Sequence, residues 1–328
     1  MPSRFTATNG NEFKYQYYPR RKPIAEGWWK HTDAILIGSR TGGGKTRWSF
    51  NHALHNSLGR QFGSIMFDVC KSYYLDAEMR SSVMHDKLKE FIPDYESADL
   101  TNFLYKNLTE DDGTVTIDTG EDGKIVTDLV VDFTKEEIQD AFIKELTEQK
   151  VEVVYLDNFF SLFPSIRNWN DPSEFLQFVT PLIMKFRRAG ITSVWIDHNN
   201  KAGDIFGSTA KMIHFDYIFK ILHEKEGDRF ELEIIKEREN LDEQHLCLSF
   251  GTDGSVAQEE SVRIGVGTTH HFYNWCNDMV GEGQKETDGS NSAVAKWLLE
   301  KYKVCHPQPN YPHLPQVNTV RKKIATLL

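Results

Sequence analysis

Cysteine is scarce in this chain: Cys70, Cys247, Cys276 and Cys305 are the four among 328 residues, and no two form a Cys-x-x-Cys pair. That excludes a secreted disulfide scaffold and fits free thiols in a reducing cytoplasm, or in a host-cell cytoplasm if the source is viral. His270-His271, Cys276 and Cys305-His306 lack the spacing of a metal centre. Long apolar runs are missing too. None approaches the roughly 18 residues of a membrane span, and Arg4, Glu12 and Lys14 break up the N-terminus where a signal peptide needs an apolar stretch, so no membrane partner is expected. Positive charge is in deficit, 38 Lys and Arg against 48 Asp and Glu for a net charge of -10. This argues against a protein that coats nucleic acid by bulk charge. With 39% hydrophobic and 26% charged residues, the chain is not disordered, collagen-like or a coiled coil.

What charge there is lies unevenly. Residues 86–128 carry twelve acidic side chains against four Lys, whereas residues 1–30 hold six basic and two acidic, and residues 293–328 six basic and one acidic. A basic head and tail on an acidic body still permit local contact with a phosphate backbone. Residues 1–30 read as a basic arm, 31–280 as the core, 281–292 as a linker by composition, and 293–328 as a small tail with helices at 293–303 and about 316–327. Within the core the pattern predicts strands at 34–37, 64–69, 151–156 and 191–196, with helices at 45–57, 75–91, 135–149 and 172–189. Such alternation means an α/β fold with a mainly parallel sheet. Residues 112–133 read as an inserted β-hairpin, and 217–222 with 230–235 as an antiparallel pair.

Ser39-Arg40-Thr41-Gly42-Gly43-Gly44-Lys45-Thr46 follows the first strand and opens a helix, the context of a P-loop. Backbone N–H groups of Ser39, Gly42, Gly43 and Gly44 would cradle the phosphates of ATP. Lys45 would reach the β/γ oxygens and the Thr46 hydroxyl would meet Mg²⁺. Ser39 stands where the first glycine is usual. The strand ending in Leu156-Asp157 offers a carboxylate for Mg²⁺, and the next residue is Asn158, so the base that activates water must come from elsewhere.

Three further segments complete a pattern: Asp197-His198-Asn199-Asn200-Lys201 after a strand, Gly207-Ser208, and Lys236-Glu237-Arg238 after another strand. Over roughly residues 22–240 the chain resembles the RecA-like hexameric ATPases, most closely the RepA-type replicative DNA helicases of plasmids and phages. The resemblance implies a RecA-like core whose sites lie between subunits of a homo-oligomeric, hexameric ring acting on single-stranded DNA. It gives His198 as sensor of the γ-phosphate, Lys201 and Lys211 as DNA-facing loop residues, and Lys236 and Arg238 as the pair reaching a neighbour's nucleotide. His198 also fits a satisfied strand-end histidine, and these lysines and Arg238 also fit ordinary surface charges. The family's water-activating Glu is absent from Ser64–Lys71; Asp68 is the candidate there, and Glu78 requires a shifted alignment. The aromatics 159–163 fit either base stacking or core. The basic tail fits a reduced winged helix, and priming would fall to a separate primase or initiator. A regulatory ATPase switch and a viral DNA-packaging motor are the rival functions on this fold.

Overall fold

The computed structural model describes residues 7, 9–17, 21–24, 29–109, 114–118, 125–199, 211–224, 229–238, 245–251, 254–258, 276, 279, 281–288, 290–305 and 320–321. The chain forms two units, one of residues 1–244 with 249–257 and the other of 245–248 with 258–328. The larger opens with α1 (Gly10–Tyr15), β1 (Ala34–Ser39), α2 (Lys45–Leu58), the short strands β2 (Gln61–Phe62) and β3 (Ile65–Met66), β4 (Ser72–Asp76), α3 (Ser81–Phe91) and β5 (Phe103–Asn107). The hairpin β6 (Thr114–Asp118) and β7 (Ile125–Val130) follows, then α4 (Glu136–Glu148), β8 (Val153–Asp157) and α5 (Phe159–Leu162). After α6 (Pro172–Glu174) and a π-helical turn come α7 (Thr180–Ala189), β9 (Thr192–His198), α8 (Lys211–His214), β10 (Tyr217–Glu224) and β11 (Arg229–Lys236).

Seven strands of one sheet lie in the order β11-β10-β1-β9-β8-β4-β5. All neighbours from β10 to β5 are parallel, and only β11 runs antiparallel to β10. β1, β8 and β4 are buried along their whole length, as strands with helices on both faces must be. On one face α4 presents Ile138, Phe142 and Leu146, one helical turn apart, and α7 presents Leu182, Ile183 and Phe186. These pack with Trp195 and Phe215 into the main core. On the other face α2 is buried along most of its length. His52 lies there between Trp29 and Trp48, ring centroids 4.7 and 4.8 Å away. Burial holds its pKa well below the ordinary value, so it is a neutral core residue bonded to the Tyr155 hydroxyl at 2.8 Å.

The mixed α/β core, its mostly parallel sheet and the inserted hairpin agree with the sequence. The strand expected at 64–69 does not. Residues 61–66 form only the two-residue hairpin β2–β3, and the sheet strand is β4, between β8 and β5. The helix expected from residue 75 accordingly begins at Ser81. β5 was not legible. Residues 281–286, read as linker, are helical. The smaller unit also contains α9 (Asn291–Cys305), where Val294, Ala295, Leu298 and Tyr302 are buried with Cys276 and Val320. Apart from Val320 and Arg321, the second tail helix lies outside the described residues.

Candidate nucleotide site

The parallel register brings four strand ends side by side. Ser39 of β1 is level with His198 of β9, and Asp76 of β4 is level with Asp157 of β8. Residues ending adjacent parallel strands thus converge on the turn between β1 and α2, the place where an α/β sheet binds ligands. Glycine is required in that turn. Gly44 caps α2 at φ 76, and a Cβ there would lie 2.5 Å from Phe230. A Cβ on Gly43 would lie 2.6 Å from Ser39 Oγ. The helix N-terminus behind them leaves backbone N–H groups without intrahelical acceptors, which suits an anion.

Lys45 is buried, and its Nζ lies 3.1 Å from His198 Nδ1. Burial lowers the pKa of the ammonium, opposed by the charges of Asp157, Glu78 and Asp197. Burial, and then the charge of Lys45, also lower that of His198. The ammonium can only donate, so Nδ1 accepts and the imidazole proton sits on Nε2. Nε2 is 3.9 Å from Glu78 Oε2. Asn158 caps α5 by accepting from Ser161 N at 3.0 Å, which fixes the orientation of its amide. The amide nitrogen donates to Glu78 Oε2 at 2.6 Å. Its 3.4 Å approach to His198 Nε2 sets donor against donor and adds no bond.

Asp157 is fully buried, and burial raises its pKa to about 6. Its Oδ2 accepts from Thr46 Oγ1 at 2.7 Å and from the Tyr74 hydroxyl at 2.8 Å. Its Oδ1 is buried without a hydrogen-bond partner. A carboxylate oxygen left over beside a threonine hydroxyl is the oxygen donor set that Mg²⁺ takes at a P-loop, so the residues fit that ion. Asp76 shapes the neighbouring turn. It accepts from Glu78 N at 3.0 Å, from Met79 N at 2.9 Å and from the Tyr105 hydroxyl at 2.9 Å, and thereby aims Glu78 toward the cluster.

Lys45, Thr46, Asp157 and His198 are therefore brought together. Asp68 is not. Its side chain is 62% exposed and lies 3.9 Å from Lys22, because residues 64–70 precede β4 and lie outside the row of strand ends. Glu78, two residues beyond β4, is the carboxylate that lies beside Asn158 and His198. Tyr74 and Asp76 were missed in the sequence, although Asp76-Ala77-Glu78 after an aromatic run was the available signal.

Lys211 is not a DNA-facing residue in this structure. It is 1% exposed, paired with the buried Asp197 at 2.5 Å, and stands over the rings of Phe159 and Trp169 at 4.6 and 5.3 Å. Lys201 lies outside the described residues. Phe159, Leu162 and Phe163 are core, which removes them as stacking platforms. Lys236 and Arg238 sit at the far end of the sheet. Lys236 Nζ donates to Phe215 O at 2.7 Å, and Arg238 donates to Ile213 O at 2.6 Å and pairs with Asp216 at 3.1 Å. Asp216 in turn accepts from Ala34 N at the start of β1. Five residues of strand, about 16 Å, separate that level from Ser39, so neither side chain reaches the P-loop of its own chain.

A phosphate cradle at a helix N-terminus, a lysine inside it and a threonine of that helix bonded to the aspartate that ends a buried strand define a P-loop nucleotide-binding protein. Residues 2–204 match the family model described as the AAA domain. The chain belongs to that family and is an ATP-binding P-loop ATPase of the RecA-like, helicase-type branch. No curated protein matches it. Among the described residues, no helix is long and apolar enough to cross a membrane.

Proposed function

We propose that the chain is an ATP-driven, ring-forming DNA helicase or translocase of replication, hydrolysing ATP between subunits. The observation that carries this reading is a division of charged groups: Lys45, Thr46, Glu78, Asp157 and His198 gathered at one end of the sheet, and the Lys-x-Arg pair out of their reach at the other. Phosphate oxygens are stronger acceptors for Lys45 than an imidazole nitrogen, so ATP would draw Lys45 away from His198. Thr46 and Asp157 would hold Mg²⁺, which supplies charge neutralisation at the phosphates. Glu78, held by Asn158, would orient and deprotonate the attacking water. His198, released from Lys45, would report the change to residues 200–210, and Lys236 or Arg238 of a neighbouring subunit would neutralise charge on the transferred phosphoryl group. Single-stranded DNA is the proposed track, with a hexameric ring and a separate primase or initiator as partners.

The test is ATP hydrolysis with and without single-stranded DNA, alongside a Lys45→Ala control and a mass measurement of the assembled species. DNA-stimulated turnover in a ring-sized species, absent from the control, supports a translocating motor. Strand separation on a forked substrate then distinguishes a helicase from a pump of duplex DNA. Turnover indifferent to DNA would overturn the reading in favour of a regulatory ATPase.

A further inference from the structure

We propose that His31, Cys70 and Glu152 form a binding site for a thiophilic divalent cation of the Zn²⁺ class, at the end of the sheet opposite the P-loop. The three residues precede β1, β4 and β8, parallel strands whose starts lie at that end. One ligand atom from each lies within 4.8 Å of the other two. Around a tetrahedral zinc, bonds of 2.0–2.3 Å place ligand atoms about 3.3–3.8 Å apart. The set is therefore about an ångström more open than a closed site, a difference that side-chain rotation spans.

The backbone behind each ligand is held. His31 N donates to Lys22 O at 2.9 Å, Cys70 N to Asn56 O at 3.2 Å, and Glu152 N to Lys71 O at 2.8 Å. Lys71 N returns a bond to Glu152 Oε2 at 3.0 Å, which leaves Oε1 as the carboxylate oxygen facing His31 Nε2, 3.9 Å away. That Nε2 is enclosed and has no hydrogen-bond partner. One sulfur, one nitrogen and one oxygen suit zinc or cobalt and disfavour Mg²⁺ and Ca²⁺, which take oxygen sets. The cation is thus chemically distinct from the one expected at Asp157. Cys70 is buried, whereas 38% of the Glu152 side chain is exposed, so a water could complete the set on that side.

The test is titration of the chelator-stripped full chain with Co²⁺ and then Zn²⁺. One equivalent of Co²⁺ is expected to bind with a thiolate-to-cobalt charge-transfer absorption that Zn²⁺ abolishes. Cys70→Ser should lose that absorption, and Cys247→Ser and Cys276→Ser should keep it. Glu152→Gln should weaken binding by at least the roughly 10–100-fold that loss of even an outer-sphere partner costs. Nucleotide binding serves as the check on folding. If Cys70→Ser fails that check, Glu152→Gln and His31→Gln decide the matter. No charge-transfer absorption in the unmodified chain, or one that survives these substitutions, overturns the proposal and leaves the cluster a hydrogen-bonded packing contact.

Discussion

Glu78 and Asp68, the two candidates for the water-activating carboxylate, differ in where they lie. Glu78 is oriented by the amide of Asn158 and stands beside His198, whereas Asp68 faces Lys22 in solvent. Glu78→Gln is expected to lower ATP turnover by roughly 10²–10⁴-fold, the usual contribution of a general base, with nucleotide affinity retained. Asp68→Asn should leave both unchanged, and steady-state hydrolysis with a nucleotide-binding titration checks the pair. Asp157 makes a second prediction through its raised pKa of about 6. A raised folded-state value means that the fold favours the protonated acid. In the cation-free protein this group's stabilisation is complete below about 3.8 and is lost as the pH rises through about 6. Cation binding runs the other way, because the ligand must be ionised. The tightening of nucleotide binding by Mg²⁺ should therefore fade as the pH falls below about 6, which calorimetric titrations at pH 7.5 and pH 5.5 would show.

At the scale of the element, the ion pair of Lys211 with Asp197 ties α8 to the end of β9, one residue before His198. Both side chains are buried, so removing one charge strands the other. Lys211→Met is expected to destabilise the larger unit by about 3–5 kcal/mol, and Asp197→Asn added to it should restore part of the loss. Denaturant unfolding of the single and double variants reads this directly. None of this was visible beforehand, since a lysine in a polar stretch carries no mark of burial. By contrast, β1, the P-loop and α2 were legible because an apolar run, a glycine turn and a Lys-Thr pair occur together without interruption. β8 and β9 were legible for a similar reason: each is an apolar run ending in a polar residue. β4 was hidden by its tyrosines. Tyr73 and Tyr74 are core residues that keep their hydroxyls bonded, to Glu145 and to Asp157. The run Ile65–Val69 had the stronger apolar signal, yet it leaves Met66 and Val69 exposed. With the strand at β4, Glu78 follows it by two residues, the shifted alignment that this candidate required, and the sheet register puts Asp76 level with Asp157.

At the scale of the molecule, the separation of Lys236 and Arg238 from the P-loop carries a prediction for the proposed ring. Arg238→Ala should reduce hydrolysis by about 10³-fold or more, as loss of a trans-acting arginine does, while nucleotide affinity stays close to that of the unmodified chain. If the residue only braces Asp216 and the Ile213 carbonyl, thermal unfolding will shift and turnover will not. In the proposed ring, such a molecule would carry a lock at one end and a key at the other. Successive copies in a row would use each lock and key once, save for an idle lock on the first copy and an idle key on the last, and closure into a ring would leave none idle. Two individually dead preparations, one with Lys45→Ala and one with Arg238→Ala, would then regain turnover when mixed and reassembled, because some contacts would pair an intact lock with an intact key.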